Sequence, residues 1–237
     1  MKRLISIFII AILTLSGLKA YAQDNPTDTI THNSKAPNME KIKEFADSKK
    51  YNKLMKRYES NDPTLTLNEY RQVYYGYIYQ ENYNPYNKTD YGKNIAQLYY
   101  KENLTRVECD SIIYCAELSL KEDPFNLEQM NYLIHAYRTQ KKYNLAEHWQ
   151  IRLNNVLRAI LSTGTGASPE DAWHVIDIGH EYALINFINH RYIVNKSEFI
   201  TPHFDHIILK KTNANTPEGF YFNIKYSIEN YNTRFSK

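Results

Sequence analysis

Five histidines crowd the C-terminal third of the chain: His174, His180, His190, His203 and His206. Imidazole changes charge near neutral pH and is the commonest metal ligand, so their spacing is tested first. His180-Glu181 begins like the H-E-x-x-H helix of zinc peptidases, where two histidines one turn apart hold zinc and the Glu activates water. The residue four on from His180 is Leu184, so the second ligand is missing and the motif fails. In one continuous strand, His174 and His180 would stand about 20 Å apart, too far for one ion. His203-Phe204-Asp205-His206 offers ligands without a partner set. Surface or hydrogen-bonded core histidines are the expectation, and neither a metal-ligating residue nor a cofactor is assigned. As acid and base, His180 with Glu181 or His206 with Asp205 would suit a hydrolase or metal-dependent enzyme. Neighbours on a strand point to opposite faces, so neither pair is a dyad by sequence alone.

Other catalytic patterns are missing. The chain has no G-x-S-x-G elbow, P-loop or dinucleotide-type glycine run, and Gly164-x-Gly166 reads better as a hinge. Cys109 and Cys115 lie six apart in a helical segment, a rise of about 9 Å. That exceeds the roughly 7 Å a disulfide can bridge between Cα atoms. Two buried thiols are expected. No catalytic residue is assigned, and the reading leans away from an enzyme.

Tyrosine is the distinctive residue, with 22 in 237 positions. Tyr70, Tyr74 and Tyr77 share one helical face, and Tyr75 and Tyr79 a neighbouring one. Helical spacing in a bundle favours core for the first three. Tyr83 and Tyr86 follow in an Asn- and Pro-containing loop, outside any apolar stripe. Tyr75, Tyr79, Tyr83 and Tyr86 are therefore the candidate binding residues, an aromatic platform for an extended peptide or a glycan.

The elements that must position these residues are mostly helical up to about residue 163. Met39–Ser48 and Tyr51–Tyr58 carry helical periodicity. Thr66 with Glu69 and Thr105 with Glu108 are capping boxes, opening helices that should run to about Tyr79 and Lys121. Leu65 is placed to staple Tyr70. From Cys115 to Leu161 the chain is similar to a tetratricopeptide hairpin, with Ala116, Leu120, Leu133, Tyr137, Tyr143 and Ala146 at packing positions. Met130 and Ile134 depart from that pattern. After Gly164-Thr165-Gly166 the character changes. Ser168-Pro169 reads as N-cap and N1 of a short turn. Trp173–Ile178, Ile207–Leu209 with its flanks, and Gly219–Tyr226 read as strands, and Glu181–Asn189 as helix. The expected fold class is α+β: helical hairpins over 37–163, then an antiparallel sheet region over 164–237 packed on the helices.

Residues 1–22 read as a signal peptide, with Lys2-Arg3, an apolar run from Leu4 to Leu18, and Ala20-Tyr21-Ala22 before the cut. The run is too short for a membrane span, which needs about 20 apolar residues. Residues 23–36 read as a polar linker. The whole chain carries 29 basic and 26 acidic residues, a net +3. The leader takes three of the basic residues and no acid, so the mature chain is neutral. That weighs against nucleic acid, which demands a positive surplus. Stable membrane insertion after leader cleavage is not expected.

Several segments together resemble the family called domain of unknown function 4919. They are Leu65–Gly76 with Asn82-Tyr83-Asn84-Pro85-Tyr86, Gly166–Ile176, Glu181-Tyr182, and Gly219-Phe220-Tyr221-Phe222-Asn223. The resemblance spans most of the mature chain in order. It implies an exported protein of Gram-negative bacteria and carries no catalytic residue across. The expected function is a non-catalytic protein- or peptide-interaction module, periplasmic or secreted, with an envelope or secreted protein or peptide as partner. The alternatives are a hydrolase or metal-dependent enzyme using the C-terminal His, Asp and Glu residues, and a carbohydrate-binding protein using the loop tyrosines.

Overall fold

The computed structural model describes residues 34–86, 90–95, 97, 98, 101 and 103–235. The leader and most of the linker lie outside them. Short polar side chains start the first helices by accepting otherwise unpaired N–H groups. Asn38 caps α1 (Met39–Ala46) and Ser48 caps α2 (Lys49–Glu59). Both capping boxes form: Thr66 with Glu69 on α3 (Leu67–Gly76), and Thr105 with Glu108 on α5 (Arg106–Glu122). A 3-10 turn, Tyr77–Tyr79, extends α3 as expected, and α4 (Asp90–Ile95) packs on α5. Asn126 caps α6 (Leu127–Thr139), and α7 (Tyr143–Leu161) follows a tight turn. In that turn Lys141 takes a positive φ of 60°.

α5, α6 and α7 pack consecutively, as stacked hairpins do. Ala116, Leu120, Leu133, Tyr137 and Ala146 are buried at their expected positions. Tyr143 is not: it opens α7 on the outer side of the turn and is 63% exposed. Arg152 ties α7 to the end of α2. It donates to Asn61 and, at 2.6 Å, to the Glu59 carbonyl. Its guanidinium lies 4.9 Å from the Tyr58 ring and 4.3 Å from that of Trp149. Among the described residues, no helix is long and apolar enough to cross a membrane.

The glycine pair closes a turn around Trp173. A Cβ on Gly164 would meet the Asp171 carbonyl oxygen at 2.3 Å, and Gly166 has a φ of +71° against the Trp173 ring. Trp173 Nε1 donates back to Gly164 O at 2.9 Å. The 3-10 turn Pro169–Asp171 forms, yet the Ser168 side chain makes no capping bond.

The sheet contains β1 (Trp173–His174), β2 (Val194–Ile200), β3 (Phe204–Leu209) and β4 (Gly219–Asn223) in the order β1-β4-β3-β2. It is mixed rather than antiparallel, because β1 runs parallel to β4. The chain leaves β1 through α8 (Gly179–Ile188) and the β2–β3 hairpin before returning as β4, so the two edges of that crossover point the same way. β1 is also shorter than the expected Trp173–Ile178. Val175 N–H still bonds the Asn223 carbonyl, but Ile176 N–H turns to Tyr74 Oη. β4 stops at Asn223, and α9 (Lys225–Phe235) begins where the sequence suggested more strand.

One chain of hydrogen bonds joins the layers. Tyr74 Oη accepts from Ile176 N–H at 3.3 Å and meets His180 Nδ1 at 2.7 Å, while His180 Nε2 meets the Phe125 carbonyl at 3.0 Å. A carbonyl only accepts, so Nε2 carries the proton and Nδ1 accepts from Tyr74. Tyr74→Phe keeps the ring and strands two buried partners. It is expected to lower unfolding free energy by about 2–4 kcal/mol, read as a reduced urea midpoint with an unchanged m-value.

Candidate functional site

The C-terminal histidines are dispersed or already engaged. His180 is buried with both ring nitrogens bonded, and burial lowers its pKa, so it sits as a neutral structural imidazole. Burial, with Arg71, His203 and Lys225 nearby, holds His174 down at about 4. His174 Nδ1 has no partner among the described residues. His206 stacks flat on Tyr221 at 4.1 Å, and His190 is exposed. Among the described residues, no three His, Cys, Asp or Glu side chains converge in a way that could hold a metal ion.

The fold does gather acids. Glu181 is 0% exposed on α8, and neither carboxyl oxygen has a partner among the described residues. Burial, then Asp205 and Asp177, pushes its pKa up to about 9. Burial also raises Asp205, against a hydrogen bond from Ser197 that lowers it. Asp123 is pushed up to about 7 by burial and by Asp177. It borders a recess of about 10 Å³ with Tyr83, Asp177 and His180, room for one water.

The four candidate tyrosines do not make one exposed platform. Tyr75 is fully buried and donates to the His174 carbonyl at 2.8 Å. Tyr83 is 5% exposed and donates to the Ile176 carbonyl at 2.6 Å. Tyr79 is half-buried, with a 3.4 Å bond to Met39 O. Only Tyr86 reaches the exposed surface, edge-on to Tyr231, and its hydroxyl donates to Ser227 O at 2.8 Å. The loop turns back onto the segments after β1 and β4, and hydrogen bonding draws its aromatics inward. Tyr70, Tyr74 and Tyr77 are buried as the helical spacing indicated. Cys109 is buried and Cys115 half-buried, both free, with burial raising both thiols away from the reactive thiolate.

The site that sequence reasoning missed is a hollow of about 310 Å³ where the start of α5 meets the α6–α7 turn. Leu104, Arg106, Cys109, Thr139, Gln140 and Lys142 line it. Gln140 Nε2 donates to Arg106 O at 3.3 Å and Asp110 Oδ1 at 2.7 Å, which fixes the amide orientation. Its Oε1 is left buried without a partner among the described residues. Two cationic residues, polar Thr139 and Gln140, and an apolar side thus line one concavity. Val107 and Tyr143, next in sequence to Arg106 and Lys142, are 73% and 63% exposed. No local spacing joins positions 104–109 to 139–142, so the sequence held no signal for it.

Fold and site together define an α+β protein whose helical hairpins carry a mixed sheet and a surface hollow, with His180 built into the core. The chain belongs to the family described as Domain of unknown function (DUF4919), whose model matches residues 38–233. No curated protein and no solved structure matches it.

Glu181 gives a pH test. Its folded pKa of about 9 stands above the ordinary 4.5, so the folded state keeps a proton that the unfolded chain releases. Its contribution to stability is therefore lost as pH rises from about 4.5 to about 9. At pH 7 the cost is about 3 kcal/mol. Glu181→Gln, shaped like the protonated acid, is expected to raise the melting temperature at pH 7 and to converge on the parent near pH 4. A variant equally destabilised across that range would show the carboxyl to be ionised and paired.

Proposed function

We propose that this protein is an exported, non-catalytic binding module. It takes a segment of an envelope or secreted protein, or a peptide, at the hollow between α5 and the α6–α7 turn. The observation that carries this reading is the hollow of about 310 Å³ itself, where Arg106 and Lys142 stand with Leu104 in one lining. An acidic side chain or terminal carboxylate would meet the two cations. Val107 and Tyr143 supply apolar contact beside it. Export rests on the leader pattern of residues 1–22.

Specific geometry favours this over the alternatives. A glycan platform would need Tyr83 at the surface, and a hydrolase built on His180 would need a free ring nitrogen. The test is affinity capture from the envelope fraction, comparing the parent with Arg106→Glu/Lys142→Glu and with the distant control Lys210→Glu. The reading expects a partner retained by the parent and the control and reduced roughly ten-fold or more by the double variant. Retention by all three would move the site elsewhere, and capture by none would sink the binding module.

A further inference from the structure

β2 is the edge of the sheet, and Asn195 through Phe199 are exposed along it on both faces. Residues directly opposite in an antiparallel ladder lie on the same face. Phe199 pairs with Asp205, and Asp205 with the fully buried Phe222. Phe199 therefore belongs to the core face of the sheet, yet it is 57% exposed. The sheet extends beyond the helices that cover its other strands, leaving an apolar ring uncovered and, among the described residues, a row of unpaired edge groups.

Bare edges are normally guarded by charge, and like charges opposite one another repel an incoming strand. Here the charges alternate in sign. Lys196 and Glu198 flank Ser197 and already form an ion pair along the strand. Antiparallel pairing of β2 with a copy of itself, centred on Ser197, sets Lys196 opposite the copy's Glu198 and Glu198 opposite the copy's Lys196. Phe199 then stands opposite the copy's Asn195, where the regular ladder ends at a bulge between Val194 and Lys196. The pattern is thus self-complementary, as a two-fold interface requires.

We propose that β2 is a homodimerisation edge, joining two copies into one continuous eight-stranded sheet through a Ser197-centred antiparallel pair. The occupant is a second copy because, in this register, the edge supplies the complement of its own alternating charges. The interface uses no residue of the α5–α6 hollow, so it stands or falls apart from the binding reading.

Sedimentation over a concentration series tests it, with circular dichroism confirming that each variant is folded. Lys196 and Glu198 both have exposed side chains, which leaves the fold little reason to respond. The parent should dimerise as concentration rises. Lys196→Glu alone sets Glu against Glu twice, and Glu198→Lys alone sets Lys against Lys twice. Each should raise the dissociation constant roughly ten-fold or more. Mixing the Lys196→Glu chain with the Glu198→Lys chain restores both opposite-charge pairs, and a one-to-one heterodimer should form. The double variant Lys196→Glu/Glu198→Lys should dimerise with itself. A parent that stays monomeric at its highest soluble concentration would overturn the proposal. So would a dimer indifferent to both single changes, or a mixture that remains monomeric.

Discussion

A phenol can enter a protein interior only if its hydroxyl finds a partner there, and a chain with 22 tyrosines meets that constraint repeatedly. Here the partners are largely main-chain carbonyls of other elements. Tyr51 bonds Val73 O, Tyr58 bonds Pro124 O, Tyr75 bonds His174 O and Tyr83 bonds Ile176 O. Each ring adds apolar burial and each hydroxyl fixes a distance between segments far apart in sequence. Tyr74 does most, because its single oxygen serves both a main-chain N–H and a histidine. These ties add direction to the apolar burial of Trp173, Val175 and Ile176, which share one core with α3.

This arrangement explains which parts of the fold could be read from sequence. Thr66, Glu69, Thr105 and Glu108 announced their helices because a cap is a local event, complete within four residues. Gly164 and Gly166 marked the junction because close approach to Asp171 and Trp173 excludes a side chain. β2 was invisible for the opposite reason. Alternation records one buried face, and Val-Asn-Lys-Ser-Glu-Phe-Ile has none. β1 was overestimated because Ile176 gives its N–H to Tyr74, a residue about a hundred positions away.

The candidate site was legible only in part. Helical arithmetic put Tyr74 and Tyr75 on different faces, and both are buried because α1, α2 and α7 all pack on α3. The loop tyrosines read as exposed because nothing local shows that Tyr83 reaches Ile176. The histidines drew attention by type, whereas the surface hollow is lined by arginine, lysine and an amide from two separate stretches. His180 and Glu181, with their familiar catalytic names, are buried, while Arg106 and Lys142 line a surface hollow.

The tyrosine ties have an asymmetry of their own. One end is a side chain, written in the sequence and open to mutation. The other is a peptide carbonyl, which survives any replacement that keeps the backbone in place. Val73, Pro124, His174 and Ile176 therefore serve as anchors without their side chains being asked to do so. A substitution scan would see only half of each of these four ties, recording a sensitive tyrosine with no equally sensitive mate, whereas Tyr74 has one in His180. Pairwise covariation, which looks for two positions changing together, would be blind to these four bonds while still able to register Tyr74 with His180.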